Sequence, residues 1–375
     1  MRMERDIIAR LATMLAAFAI IVVFTVFDAW PSMYKRMENI FYDWRANLYT
    51  EQQVDRRVVI IDIDEASLAA EGRWPWPRDK LAQLLYNLNN HYGVSQIGLD
   101  LIFPELTHDT ADRALVQAIM DSNAVASVAF ALTLDNNQLQ QGKLGRSVDV
   151  VGAQLPHDLA LAAQGYVGNN SLFAMDYSMG HITPIYDIDG TVRQFAPLIQ
   201  YDGQYYDTLA VAMVRRLFEL DGLTARHTSQ VWANGGLMSS SRLTLAGLVD
   251  VPIDQHGLTW LPLQRSAGSY RYISATDILN QRVPADTLLG TLALVGTSAS
   301  GLHDLVSTPL VTKMPGVEVH AHILSALLDA NFLITNDYFV YITLLLILVM
   351  GGLLVMGSYW SISYFNLLLA LALLC

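Results

Sequence analysis

The sequence predicts an α/β protein: a mixed, mostly parallel sheet in a domain set between transmembrane helices. Three observations predict this. Strand-like and helix-like segments alternate from Val58 to Leu132. Long apolar runs without charge lie near both ends. Charged residues make up only 15% of the 375 residues, against about 25% in ordinary soluble domains.

The apolar ends come first. Leu11 to Phe27 holds no charged residue. At about 1.5 Å per residue it nearly crosses a hydrocarbon core of about 30 Å. Ile7 to Ala9 extend it, with Arg10 able to reach the headgroups, so a transmembrane helix is expected over 7–27. Arg2, Arg5 and Arg10 put the N-terminus, residues 1–6, on the cytoplasmic side. A cleaved signal peptide is the alternative reading. Ala17-Phe18-Ala19 resembles a cleavage site, but the apolar run continues well beyond it. A second span is expected over 338–356, with Tyr338, Tyr341, Tyr359 and Trp360 as interfacial aromatics. Residues 364–375 read as the start of a third span that continues past the given sequence. The expected topology puts residues 30–335 outside the cytoplasm of a bacterial inner (plasma) membrane, and the link near Trp360 inside.

Between the spans, residues 28–50 read as a stalk helix, with Tyr34, Met37, Phe41, Trp44 and Leu48 at helical spacing. Residues 51–335 form the extracytoplasmic domain. Val58 to Asp64 is a buried-strand pattern. Pro77 and Asp79 open a helix to about Asn90, and Gly93 follows its end. Ser95–Phe103 is a strand, Ala111–Asp121 a helix and Ala124–Leu132 a third strand. That βαβαβ order implies parallel pairing. Gly165–Asn170 and His181–Tyr186 read as strands. Asp187-Ile188-Asp189-Gly190 is a turn, with Val192–Gln200 returning as a hairpin partner. Thr208–Leu220 is helical, and 221–250 reads as loop with an edge strand. Leu288–Val295 is a strand ending at Gly296, and Gly316–Leu328 is the helix leading to the second span.

The net charge of −12 argues against a nucleic-acid partner, which needs a basic surface. The single cysteine, Cys375, excludes an internal disulfide. Asp62 and Asp64 lie two apart in a strand and face the same way, with Glu65 next and Asp100 ending a neighbouring strand. Ligands of open parallel sheets sit beyond the carboxyl ends of the strands, so these four are candidate ligand contacts, for a cation or a hydroxyl-rich molecule. Capping and loop anchoring is the favoured role. Gly296 to Gly301 follows a strand, and its amides, with Thr297 and Ser298, could cradle an anion, though the lysine of a phosphate-binding loop is missing. His303-Asp304 could form an acid–base pair, but no Gly-x-Ser-x-Gly elbow supplies a nucleophile. His320 and His322 point to opposite helix faces and read as hydrogen-bonded structural residues. Trp74-Pro75-Trp76-Pro77-Arg78 is a rigid aromatic corner, read as core packing ahead of ligand stacking. No catalytic residue, metal ligand or cofactor is assigned. The expected partners are the membrane, a small-molecule or ionic ligand, and a second copy in a homodimer.

Several stretches together resemble the type-two CHASE family (cyclases/histidine kinases associated sensory extracellular). They are Tyr42-Asp43-Trp44-Arg45, Val58 to Leu68, Gly72 to Asp79, Ile97 to Glu105, Asp187 to Arg193, Leu294 to Leu310 and Pro315 to His320. The resemblance implies a sensory domain that is not itself an enzyme, with a membrane span before it and several after. It further implies a cytoplasmic output domain: a class III adenylate or guanylate cyclase, otherwise a histidine or Ser/Thr kinase or a diguanylate cyclase. Class III cyclases and histidine kinases work as dimers. The alternative reading is a membrane-anchored extracytoplasmic hydrolase or metal-dependent enzyme.

Overall fold

The computed structural model describes residues 32–48, 50, 53–133, 139–152, 159–173, 177–228, 240–245, 247–254, 256–266, 268–299, 305–333, 345–346 and 348–351. The expected spans over 7–27 and 364–375, and most of 338–356, lie outside them. Among the described residues no helix is long and apolar enough to cross a membrane. The chain divides into two units: residues 1–41, 230–238 and 334–375, and residues 42–229 with 239–333. In the first, 345–346 and 348–351 are helical. Helix α1 (Ser32–Leu48) covers the expected stalk, and from Tyr42 onward it belongs to the second unit.

The second unit runs through β1 (Asp55–Ile63), α2 (Glu65–Glu71), α3 (Arg78–Tyr86), β2 (Gln96–Leu99), α4 (Asp109–Asp121) and β3 (Ala126–Ala131). A π-helical turn over Asn87–His91 extends α3. Next come β4 (Met179–His181), α5 (Leu209–Leu217), β5 (Gly222–Thr228), β6 (Ser240–Leu245) and β7 (Val249–Ile253). Last are β8 (Tyr270–Ser274), α6 (Ala275–Leu279), β9 (Leu292–Thr297) and α7 (Gly316–Asp329).

Four strands in the order β8-β1-β9-β2 make a wholly parallel sheet. Gly98 and Val125 add a parallel bridge from β2 toward β3. The fold is thus the mixed, mostly parallel α/β class that the sequence predicts. The period of two along a strand sorts β1 between two cores. Val58 and Ile60 pack with α5 and α7. Val59, Ile61 and Ile63 pack with Leu81, Leu84, Leu85 and Leu115 of α3 and α4. A sheet covered on both faces explains the unbroken apolar run Val58–Ile61.

Several expected boundaries move. The expected strand over Leu288–Val295 is displaced toward the C-terminus: Ala285–Leu288 is a short 3-10 turn, and β9 starts after Gly290, whose φ of +76° breaks the segment. Region 221–250 is not a loop with one edge strand. It carries β5 and β6 and leads into β7, the three antiparallel, with Asp149–Val151 parallel to β5. Leu243 and Leu245 are buried and Arg242 is exposed, while Thr244, also buried, donates its hydroxyl to Asp250 at 2.6 Å. The strand expected at His181–Tyr186 stops at His181, and only the bridge Ile185–Gln194 survives of the hairpin. Helix α2 has no counterpart in the sequence reading, because two turns are too short to show a period. Gly296 is needed where it stands. A Cβ there would lie 2.6 Å from the Val317 Cβ, so the glycine lets α7 lie against β9.

Candidate functional site

The carboxyl edge of the parallel sheet gathers much of the sequence-predicted set. Asp62, near the end of β1, is buried and accepts the N–H of Ser298 at 3.0 Å and its hydroxyl at 2.6 Å. Asp64 caps α2: it accepts the Ser67 N–H at 2.7 Å and the Ser274 hydroxyl at 2.7 Å. Ser67 in turn contacts the Ser274 hydroxyl at 2.8 Å and accepts the Thr276 N–H at 3.2 Å. One carboxylate therefore stitches the starts of α2 and α6 together. Glu65 stands exposed in the first turn of α2. Asp100 is buried just past β2, its N–H bonded to the Val295 carbonyl, and Thr297 is buried as the last residue of β9. His303 and Asp304 lie outside the described residues.

Burial pushes the Asp62 carboxyl above its ordinary value, and neighbouring Asp64 adds to that despite the Ser298 bonds. Burial acts the same way on Asp64, but the hydrogen bonds from Ser67 and Ser274 outweigh it and hold Asp64 below the usual range. Two carboxylates on one face thus differ in character. The Ser298 hydroxyl donates to Asp62. Among the described residues no group of three or more His, Cys, Asp or Glu side chains is disposed to hold a metal ion.

A second constellation joins residues far apart in sequence. The Arg193 side chain is 4% exposed and is surrounded by three carboxylates. Asp43 on α1 takes its Nε and Nη2, both at 2.8 Å, as a two-pronged pair. Asp187 takes Nη1 at 2.9 Å, and Asp189 takes Nη1 at 2.9 Å and Nη2 at 2.8 Å. The turn that brings the last two inward closes with the Gly190 N–H on the Asp187 carbonyl, and Gly190 has a φ of +79°. Hydrogen bonds from Asp43 and Asp189 raise the Arg193 pKa against the effect of burial, and Arg193 draws the Asp189 carboxyl well below its usual range. Beside this cage Tyr42 stacks on Trp260 with centroids 4.5 Å apart, and Asn47 donates to the Pro309 carbonyl at 2.8 Å. The last two turns of the stalk are therefore held at three places. In the sequence Asp43, Asp187, Asp189 and Arg193 stand only within separate motifs. No local spacing shows that residues 150 positions apart meet.

A third cluster ties the start of β1 to the end of α7. Asp55 is buried and accepts the Arg57 Nη2 at 2.8 Å and the Ser325 hydroxyl at 2.8 Å. Arg57 also pairs with Asp329 at 2.8 Å, and Arg265 pairs with the same carboxylate at 3.1 Å. Burial opposes ionisation of Asp55, but the bonds from Arg57 and Ser325 outweigh it and lower its pKa to about 2.

His320 and His322 were expected on opposite faces, and both are buried, because α7 is enclosed from Val317 to Leu327. His322 meets the Tyr270 ring edge-on at 5.0 Å, and its two nitrogens find no hydrogen-bond partner among the described residues. The expectation of a hydrogen-bonded histidine is corrected there. The aromatic corner does pack inward: Trp76 is buried, and Arg78 lies over the Phe103 ring at 4.5 Å.

Residues 15–356 match the family model of the CHASE2 domain, and the chain belongs to that family. CHASE2 domains are extracytoplasmic sensory domains of signalling receptors, not catalytic ones. Comparison with curated proteins and with solved structures found no match.

Proposed function

We propose that the chain is the signal-sensing input module of a multi-pass receptor in a bacterial inner membrane. Residues 51–335 sense outside the cytoplasm, and the stalk and α7 carry the response toward a cytoplasmic output domain. That output is a class III adenylate or guanylate cyclase, otherwise a histidine or Ser/Thr kinase or a diguanylate cyclase. The observation that carries the reading is the Arg193 cage. A buried guanidinium bound at once to the stalk and to a domain turn gives the stalk a discrete anchor, one that can be made or released. A ligand shifts a receptor only through its differential affinity for two such arrangements. A second copy is the proposed partner at the stalk, where Trp44 and Leu48 stand 62% and 58% exposed.

The test uses the full-length receptor in membranes. Asp43→Asn should change the basal output several-fold while circular dichroism shows a folded protein. Unchanged output from a folded variant would contradict a signalling role for the anchor.

A further inference from the structure

Helix α3 leads into β2 and α4 into β3, which lie parallel, so the two helices run side by side in the same direction. Arg78 and Asp112, 3.5 Å apart, join their first turns. Between them lies an open groove of about 600 Å³, within the roughly 300–1,000 Å³ of small-molecule sites. Its lining is ordered along its length. Asp79 lines the start of the groove on α3, and Asp121 lines it further along on α4, short of Asn89 and Asn90. Counted from the Arg78–Asp112 pair, they are offset by eight residues, about 12 Å along the axis. Ala82, Ala114 and Ala118 line the stretch between the two carboxylates with methyl groups, and Gln83 and Gln117 add carboxamides there.

No lysine, arginine or histidine lines this groove. The nearby cations are committed elsewhere: Lys80 to Glu71 at 3.0 Å and Arg113 to Asp109 at 2.9 Å. Among the described residues Asp79 accepts only the Lys80 N–H, and Asp121 accepts the Gln117 side chain at 2.7 Å. Neither is ion-paired among the described residues. Anionic ligands are therefore disfavoured, and a net charge of −12 draws cations toward the domain. A groove with two spaced carboxylates and methyl groups between them matches a linear chain with an ammonium at each end. Carboxamide oxygens between the carboxylates suit an inner secondary ammonium.

We propose that this groove binds a linear polyamine, with its terminal ammonium groups on Asp79 and Asp121 and its methylene chain over the alanines. Both carboxylates are exposed, so binding is modest and weakens with salt. It does not depend on the receptor reading, and the two can fail separately.

The experiment is calorimetric titration of the full chain in detergent with spermidine, putrescine, magnesium and a neutral trisaccharide. Spermidine, long enough to reach both carboxylates, should bind at least about tenfold more tightly than putrescine, which is not, a difference of about 1.4 kcal/mol. Asp79→Asn and Asp121→Asn should each weaken spermidine about fivefold. Ala114→Lys, which fills the groove with a cation at an exposed position, should abolish binding. Equal affinity for the two amines, spermidine binding indifferent to all three substitutions, or preference for magnesium or the saccharide would overturn the proposal.

Discussion

His181, His320 and His322 are buried side chains whose pKa values fall from the ordinary 6.5 to about 3, about 4 and about 3. Desolvation is the main cause in each, with His320 adding to it at His181 and Arg265 at His322. The unfolded chain takes up these protons near pH 6.5 and the folded chain does not until pH 4 or below. Stability is therefore full above pH 6.5 and falls as pH drops toward 4, by about 1.4 kcal/mol per pH unit for each histidine. Thermal unfolding of the full chain should show a midpoint that falls steadily below pH 6.5, and His322→Phe should make the fall shallower. A midpoint flat across that window would rule out the buried neutral state. Asp64 belongs to the same scale. Asp64→Ala removes the cap of α2 and one of the two partners of the Ser274 hydroxyl, for a loss of about 1–3 kcal/mol by chemical unfolding. A loss under about 0.5 kcal/mol would show that the cap contributes little. The pairing of Asp62 with Asp64 is legible in sequence, because a period of two fixes their shared face. Their partners Ser298 and Ser274 are not, because these come from other strands.

At the scale of elements, the sequence makes β1, α3, α4 and α7 legible, since each carries a clear apolar period and a start or stop signal. Region 221–250 is not legible. Its strands carry arginine, threonine, serine and histidine among few apolar residues, and their register depends on pairing with one another. The position of β9 is likewise decided by its neighbours: it sits between β1 and β2, while the apolar stretch preceding it folds into a 3-10 turn. The close approach of α7 to β9 rests on Gly296. Gly296→Ala should destabilise the fold by about 1–3 kcal/mol through overpacking against Val317. Replacing Val317 by alanine in the same chain should recover part of that loss. No recovery would place the strain elsewhere.

For the whole molecule, the arginines ahead of the first apolar run predict that the domain lies outside the cytoplasm. A reporter active only outside the cytoplasm should be active when fused after Asp202 and silent after Met3. The reverse pattern would overturn the receptor orientation. The central claim is that the Arg193 cage anchors the stalk to the sensory domain. Hydrogen exchange of the full chain, read at the amides of Tyr42–Leu48, tests it most directly, because local opening reports the strength of the anchor. Asp43→Asn and Arg193→Lys should each speed exchange there about tenfold, as expected for the loss of about 1.4 kcal/mol. The two changes together should add little beyond either alone, while β1 stays protected. Unchanged exchange in both variants, or fully additive effects, would show that Asp43 and Arg193 do not hold the stalk as a pair.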